Sequence, residues 1–220
     1  MKKVPVGCTT LDTILGGGLK PGIITLIYGE PGTGKTNICI LASCTNASKE
    51  KKIVYITSEG VSQERLRQIC KKNNKKPLEN ILFFSPENLE EQEKIIDKAL
   101  KIRCGLLVID TVNKFYRLQL SSNKDAANRS LTRQMVTLQL AAKKYQIPII
   151  LTGQVYQNET GVKPFANRII SPLAKTIIQL KKQEYANTRG SEAREAIVMK
   201  HPCYKTKEKV RFFITAQGLE

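Results

Sequence analysis

Short apolar runs alternate with amphipathic segments along most of this chain. The run from Gly22 to Tyr28 is rich in β-branched residues. It begins at a glycine, and a second glycine, Gly29, directly follows it. This pattern is typical of a buried strand. Further runs of this kind lie at Lys52–Thr57, Ile81–Phe84, Gly105–Asp110, Ile147–Thr152, Lys175–Leu180, Glu195–Lys200 and Lys209–Thr215. The pattern predicts a strand at each of these positions.

Segments with helical spacing of apolar residues separate the early strands. The predicted helices are Thr36–Ser48, Gln63–Lys72, Leu89–Ile102 and Ala126–Tyr145. Buried strands that alternate with amphipathic helices predict an α/β fold, with a mostly parallel twisted sheet covered by helices on both sides. The last three predicted strands have no helices between them, so we expect an antiparallel edge at the C-terminal end of the sheet.

Two stretches show neither the apolar runs of a strand nor the helical spacing of apolar residues. They are Asn113–Lys124 and Gln157–Ser171. Both follow predicted strands that carry candidate site residues, and long loops in compact domains are more often functional than idle. We therefore expect two functional loops. The 220 residues contain no linker, repeat or low-complexity tract, which predicts one domain spanning residues 1–220.

The segment between the first predicted strand and the first predicted helix fits the pattern G-x-x-x-x-G-K-[ST]. Its glycines let backbone N–H groups curl around phosphate oxygens, and the helix start adds a positive dipole end. A plain glycine-rich turn is the alternative. We expect Lys35 to reach the β- and γ-phosphates of ATP, and the Thr36 hydroxyl to ligate Mg²⁺. The candidate nucleotide-binding residues are Gly29, Glu30, Pro31, Gly32, Thr33, Gly34, Lys35, Thr36 and Asn37.

Polar residues end or follow three of the predicted strands. The fourth strand ends in Asp110, and Mg²⁺ needs an acid opposite Thr36, which makes Asp110 the second candidate metal ligand. Glu59 follows the second strand, where a carboxylate faces the ligand crevice and can activate water. Gln154 follows the fifth strand, where an amide can sense the γ-phosphate. Lys35, Glu59 and Gln154 form the candidate catalytic set. Glu59 and Gln154 are each equally consistent with an ordinary polar strand end.

Together these residues resemble the recombinase branch of the RecA superfamily. The similar segments are Val6–Leu19, Tyr55–Gly60 with Glu64–Leu66, Leu151–Val155 and Val210–Leu219. The resemblance covers nearly the whole chain and implies a RecA-like P-loop NTPase core. It also implies that Glu59 is the water-activating base, that Arg65 stacks on adenine, and that Gln154 links nucleotide state to a DNA-binding loop. The chain departs from that family at Gly153, where Asn is ordinary, and is one residue shorter before Arg65.

Within that branch the sequence looks like RadB, the archaeal recombinase paralogue. We expect no N-terminal helical DNA-binding domain and no linker of the kind that the main recombinases use to polymerise. The resemblance implies an ATP-binding and DNA-binding accessory of DNA repair and homologous recombination, with weak ATP hydrolysis. The implied partners are single-stranded DNA by preference, the main recombinase RadA and the junction-resolving machinery, with a homo-oligomer also allowed.

The net charge of +17 suits a polyanionic partner, because each neutralised phosphate releases condensed counterions. A lysine-rich codon bias is the competing explanation. In the two unassigned stretches, cations occur with aromatic residues that can stack on bases. The candidate DNA-binding residues are Lys114, Tyr116, Arg117 and Lys124 in the first stretch, and Lys163, Phe165 and Arg168 in the second. The alternative is that the charges are solvated and the aromatics pack beneath their own loops.

Two rival functions remain at this point: a signalling or assembly ATPase similar to the clock protein KaiC, and a helicase-like motor. KaiC carries a Lys-His-Arg triplet where this chain has Lys200, His201 and Pro202. In RecA-type assemblies that position can face the nucleotide of a neighbouring subunit. Pro202 replaces the arginine, and an exposed His201 at a strand end is the equal alternative.

The cysteine and histidine content and the lengths of the apolar runs indicate which metal sites and which cellular compartment to expect. The six cysteines lack C-x-x-C spacing and there is a single histidine, which argues against a structural zinc site. We expect most of the thiols to be small buried packing residues in a reducing compartment. There is no membrane-length apolar run and no apolar signal sequence after Met1, so we expect a cytoplasmic protein.

Overall fold

The computed structural model describes residues 2–71, 77–159, 161–186 and 192–220. The helices are α1 (Thr9–Ile14), α2 (Lys35–Asn46), α3 (Gln63–Lys71), α4 (Leu89–Ala99), α5 (Lys114–Gln119), α6 (Lys124–Tyr145) and α7 (Asn167–Leu173). The strands are β1 (Ile24–Gly29), β2 (Lys52–Thr57), β3 (Ile81–Phe84), β4 (Cys104–Asp110), β5 (Ile149–Gly153), β6 (Val155–Asn158), β7 (Gly161–Pro164), β8 (Thr176–Ala186), β9 (Glu192–Lys200), β10 (Lys209–Thr215) and β11 (Gly218–Leu219). A 3₁₀ turn covers Pro77–Asn80.

The main sheet runs in the order β11-β10-β9-β8-β1-β5-β4-β2-β3. The pairs from β8 through β1 to β3 are parallel, whereas β8, β9, β10 and β11 pair antiparallel. This arrangement confirms the predicted mostly parallel sheet with an antiparallel C-terminal edge. In the register Thr57 lies opposite Asp110 and Tyr28 lies opposite Gly153, so the carboxyl ends of β1, β2, β4 and β5 meet at one edge.

The sheet has a hydrophobic core on each face, because successive side chains of a strand point to opposite sides. On β2, Ile53 and Tyr55 join the core beneath α1, α2 and α3, whereas Val54 and Ile56 join the core beneath α4, α5, α6 and α7. The inner parallel strands β1, β2, β4 and β5 are therefore mostly apolar, as expected for a parallel sheet covered on both faces.

The two stretches predicted as loops are mostly regular structure, which corrects that expectation. Asn113–Lys124 contains α5, and Gln157–Ser171 contains most of the β6–β7 hairpin and the start of α7. The short helix α1 was also not predicted. Six-residue helices and four-residue strands span too few residues to establish a hydrophobic period. Lys72, the last residue of one predicted helix, lies outside the described residues.

Most of the cysteines are buried, as expected, but two of the buried ones are paired instead of being the free thiols expected in a reducing compartment. Cys44 of α2 and Cys70 of α3 form a disulfide, with their Cα atoms 5.4 Å apart. Cys8 and Cys39 are buried thiols, Cys104 is half-buried and Cys203 is exposed. Burial raises the pKa of the Cys104 thiol to about 11, which keeps it protonated near neutral pH.

Across the described ranges, none of the helices has the length and apolar character needed to cross a bilayer.

Candidate nucleotide-binding site

The glycine-rich segment forms the turn between the end of β1 and the start of α2. Gly32 and Gly34 have φ angles of 78° and 97°, which glycine adopts without steric cost. A Cβ atom at Gly34 would also lie 3.0 Å from Cδ1 of Ile214. Because α2 begins at Lys35, its first backbone N–H groups have no partner within the helix and point towards this turn. The turn thus has the conformation of an anion-binding loop.

The Lys35 side chain folds back over this loop. Its Nζ donates to the carbonyl oxygens of Gly29 and Glu30, at 2.7 and 3.0 Å. Burial lowers the pKa of Lys35, and the carboxylates of Asp110 and Glu59 act in the opposite direction. The ammonium therefore lies where the loop and both predicted acids converge.

Asp110 is held by hydroxyl groups from the two strands that flank β4. The carboxylate is buried; its Oδ2 accepts from the Tyr55 hydroxyl at 3.0 Å and its Oδ1 accepts from the Thr152 hydroxyl. Burial and the adjacent Asp110 charge together raise the pKa of Tyr55 well above its usual value, so the phenol remains a donor. Tyr55 and Thr152 were missed as site residues; the available signal was a hydroxyl within each apolar strand.

Thr36 and Asp110 offer the oxygen ligands that a magnesium–nucleotide complex requires. Mg²⁺ is usually held by one or two protein oxygens together with phosphate oxygens and water. Among the described residues there is no group of three or more His, Cys, Asp or Glu side chains arranged to hold a metal ion alone. A donor set of one hydroxyl and one carboxylate fits Mg²⁺ that is bound together with a nucleotide.

The predicted catalytic pair Glu59 and Gln154 meets at the same edge of the sheet. Gln154 Nε2 donates to Glu59 Oε1 at 2.5 Å, and the Thr111 hydroxyl lies 3.4 Å from the same oxygen. The Gln154 Oε1 atom is buried without a hydrogen-bond partner. Both side chains line a pocket of about 500 Å³ together with Lys35 and Asp110. The structure thus brings together four residues, the first and last of which, Lys35 and Gln154, lie more than a hundred positions apart in the sequence.

Asn113, which the sequence analysis did not single out, fixes the backbone around Gln154. Its Oδ1 accepts from the Gln154 backbone N–H at 2.8 Å. Its Nδ2 donates to the backbone oxygens of Gln154 and Phe165, both at 3.0 Å. Although Asn113 precedes α5, its side chain does not cap that helix. It instead joins the start of α5 to the β6–β7 hairpin.

Arg65 lies between α2 and the end of β10. Its Nε donates to Asn37 Oδ1 at 2.9 Å, and its Nη1 donates to the Thr215 carbonyl oxygen at 2.9 Å. Asn37 lines the pocket, whereas Arg65 does not. Contact between Arg65 and adenine therefore stays a prediction.

Two of the residues predicted to contact DNA are turned into the protein. Tyr116 is only 7% exposed, and its hydroxyl donates to Asn128 Oδ1, so it has no free face for a base. The burial of Tyr116 favours the alternative of an aromatic packed beneath its own segment, because the turn of α5 directs it into the core. The ammonium of Lys114 donates to the carbonyl oxygen of Ser58, beside Glu59, and is half-buried.

The other predicted DNA contacts remain accessible. Lys124 and Arg168 are exposed, and Lys163 is half-buried on β7. Arg117 is exposed, but it lines the nucleotide pocket, with its guanidinium carbon 5.6 Å from the centroid of the Phe165 ring. Lys124, Lys163 and Arg168 therefore remain candidates for DNA contact, whereas Arg117 lies at the pocket.

His201 has a local structural role. Its Nδ1 accepts the backbone N–H groups of Cys203 and Tyr204, and its ring centroid lies 4.6 Å from that of Tyr204. Partial burial lowers the pKa of His201, with Lys3 acting in the same direction. The neutral ring thus organises the turn after β9.

Comparison with known proteins places this chain in a family. A family model described as Rad51 matches residues 1–220. The DNA repair and recombination protein RadB of Methanocaldococcus jannaschii is 39% identical, over 96% of this chain and 98% of that protein. The protein of that name from Thermoplasma volcanium is 35% identical, over 100% of this chain and 92% of its own length.

A solved structure agrees with these relatives. The structure described as the crystal structure of the RadB recombinase superposes with a TM-score of 0.83 and 29% identity, covering 99% of this chain and 98% of that one. The chain therefore belongs to the Rad51 family of the RecA superfamily and, within it, to the RadB group.

Proposed function

We propose that this protein is a cytoplasmic, single-domain ATPase that binds ATP with Mg²⁺, binds DNA, and assists DNA repair and homologous recombination. One observation carries the proposal: Lys35, Asp110, Glu59 and Gln154 converge on one pocket beside a glycine turn in which Gly32 and Gly34 have positive φ angles. RadB relatives matching over almost the whole chain support the role in repair and recombination.

In this proposal each pocket residue has a defined task. The loop from Gly29 to Thr36 and the Lys35 ammonium bind the phosphates, while Thr36 and Asp110 hold Mg²⁺. The bound ion compensates the charge of the triphosphate. Glu59 orients and deprotonates the attacking water, and Gln154 holds the Glu59 carboxylate in place. Arg65, beside Asn37, is the proposed adenine contact.

The nucleotide site is tested by calorimetric titration of Mg-ATP into the Lys35→Ala variant. We expect a loss of roughly 10- to 100-fold in ATP affinity, since charge-assisted hydrogen bonds to phosphate are removed. Lys98→Ala, which removes an exposed lysine from α4, is the matched control and should bind ATP normally. A folded Lys35→Ala protein with unchanged affinity would reject the site.

Slow hydrolysis through Glu59 is tested separately from binding. The Glu59→Gln variant keeps the shape of the side chain but cannot take a proton from water, so we expect turnover to fall by about 10²- to 10⁴-fold. ATP affinity should change little. Rates measured with and without single-stranded DNA would also establish whether DNA influences turnover. Unchanged turnover in Glu59→Gln would assign the base to another residue.

We propose that DNA contacts Lys124 at the start of α6, Lys163 on β7 and Arg168 on α7, all of which remain accessible. Anisotropy titrations with labelled single- and double-stranded oligonucleotides at several salt concentrations test this surface. The slope of log affinity against log salt should fall in magnitude by about 0.7 to 0.9 for each phosphate contact removed by mutation. Binding that is absent, or insensitive to salt, would favour the alternative of a KaiC-like assembly ATPase.

The proposed protein partners are the main recombinase RadA and the junction-resolving machinery, with self-association as a further property. Pull-down of purified RadA by this protein, with and without ATP, tests the first of these. Light scattering over a range of protein concentrations tests the last. Failure of RadA to bind under both nucleotide conditions would remove it from the proposal without affecting the nucleotide site.

A further inference from the structure

Two cations line the nucleotide pocket, and they approach it from opposite faces of the sheet. Among the described lining residues these are Lys35 and Arg117. Lys35 begins α2, which packs on one face of the sheet. Arg117 lies on α5, whose Phe115 and Tyr116 are buried in the core of the other face. Lys35 donates hydrogen bonds to the glycine-rich loop and is proposed to bind phosphate. The function described so far gives Arg117 no role in the pocket.

The Arg117 side chain has no polar partner within the described parts of the chain. Within those parts its guanidinium lies over the Phe165 ring, with 5.6 Å between the guanidinium carbon and the ring centroid. A cation–π contact at an exposed position is weaker than bidentate hydrogen bonds from a guanidinium to phosphate. A phosphate in the pocket would therefore compete successfully with the ring for Arg117.

The base of α5 is positioned rigidly relative to the catalytic pair. The backbone N–H of Arg117 donates to the Asn113 carbonyl oxygen, and the Asn113 side chain binds the backbone of Gln154 on both sides. Gln154 in turn contacts Glu59. Arg117 is thus anchored to the residues that face the reacting phosphate rather than to the loop that holds the rest of the nucleotide.

We propose that Arg117 binds the terminal phosphate of a nucleoside triphosphate and makes the site discriminate against the diphosphate. This inference rests on the proposed nucleotide site. It assigns Arg117, which the sequence predicted to contact DNA, to the nucleotide instead. A planar guanidinium bound to the terminal phosphate stabilises charge there without changing contacts to the other phosphates.

The test compares the affinities of Mg-ADP and of a non-hydrolysable ATP analogue by calorimetry, in the absence of DNA. In Arg117→Ala we expect the analogue to bind about 10-fold more weakly or worse, with ADP affinity unchanged. Arg117→Lys should recover part of the loss, since it keeps the charge but not the bidentate geometry. Arg129→Ala, which removes an exposed arginine from α6 outside the pocket, should leave both affinities unchanged.

Three outcomes would overturn the inference. Equal effects of Arg117→Ala on both nucleotides, or no effect on either, would exclude a contact with the terminal phosphate. A loss of DNA affinity in nucleotide-free protein with unchanged nucleotide preference would return Arg117 to the DNA surface. The Lys35→Ala variant separates these failures from failure of the nucleotide site, because it should weaken binding of both nucleotides.

Discussion

At the scale of single residues, the buried carboxylate of Asp110 depends on two hydroxyl donors. Tyr55→Phe removes one of them without changing the shape of the core. We expect the free energy of unfolding to fall by about 1 to 3 kcal/mol near neutral pH, because a buried carboxylate loses a hydrogen bond. Urea denaturation of nucleotide-free protein measures this change.

The control for this prediction is Tyr116→Phe, which removes a phenol hydroxyl whose acceptor is the neutral amide oxygen of Asn128. That bond should contribute only about 0.5 to 1.5 kcal/mol, as neutral hydrogen bonds do. A cost for Tyr55→Phe no greater than that for Tyr116→Phe would contradict the view that the Tyr55 hydroxyl supports a charged group.

The sequence predicted the residues of the site that carry a recognisable local pattern. Lys35 and Thr36 follow from the glycine motif, and Asp110, Glu59 and Gln154 follow from polar positions at the ends of apolar strands. The supporting hydroxyls were not predictable in this way. Tyr55 and Thr152 reach Asp110 only because β2 and β5 flank β4, and the order of strands in a sheet is not encoded in hydrophobic alternation.

At the scale of elements, Asn113 connects α5 to the β6–β7 hairpin, and two variants separate its contributions. Asn113→Ala loses all three side-chain hydrogen bonds, so the Gln154 backbone amide should exchange with solvent faster. Asn113→Asp keeps an acceptor for that amide but places a carboxylate against two carbonyl oxygens. We therefore expect the Asp variant to lose more stability than the Ala variant.

Hydrogen exchange followed by mass spectrometry, together with urea denaturation, measures both effects. An Asp variant as stable as the original protein would show that Asn113 does not bridge the two carbonyls. The sequence could not predict this connection, because α5 and the hairpin are too short to give a hydrophobic period. Tyr116 shows the same limit: an aromatic beside Arg117 is typical of a base-stacking site, but the α5 turn buries it.

The disulfide between Cys44 and Cys70 ties α3 to the helix that begins at Lys35. Because a cross-link across 26 positions restricts the unfolded chain, it should raise the free energy of unfolding by about 3.5 kcal/mol. We expect a reductant to lower the free energy of unfolding by about this amount, which would appear as a lower urea midpoint. A Cys44→Ala, Cys70→Ala double variant should show no response to the reductant.

Intact-mass measurement after alkylation provides the independent readout for this bond. Unreduced protein, unfolded in urea, should leave two of its six cysteines unmodified by the alkylating reagent. Modification of all six without reductant would show that Cys44 and Cys70 are free thiols. In the folded state Cys104 is expected to react more slowly than the exposed Cys203, because burial raises the pKa of Cys104 to about 11.

At the scale of the whole molecule, the alternation of strands and helices was sufficient to predict the sheet. A strand followed by a helix and a parallel strand has one favoured handedness, which limits the arrangements available to β1 through β5. Three late strands without intervening helices can only fold back on one another, which predicts the antiparallel edge. The position of β1 between β5 and β8 depends on long-range packing, and no local pattern predicted it.

The net charge of +17 leads to a prediction about the stability of the whole fold. Like charges repel one another more strongly in the compact state than in the expanded chain, and salt screens that repulsion. We therefore expect the urea midpoint to rise when sodium chloride is increased at constant pH, with no change in the slope of the transition. A short polyphosphate at low ionic strength should raise the midpoint further, because a polyanion that binds only the folded surface stabilises it by mass action. A midpoint that falls with sodium chloride would mean that attractive ion pairs outweigh the repulsion. The charge would then be dispersed among compensating partners instead of forming a surface for a polyanion such as DNA.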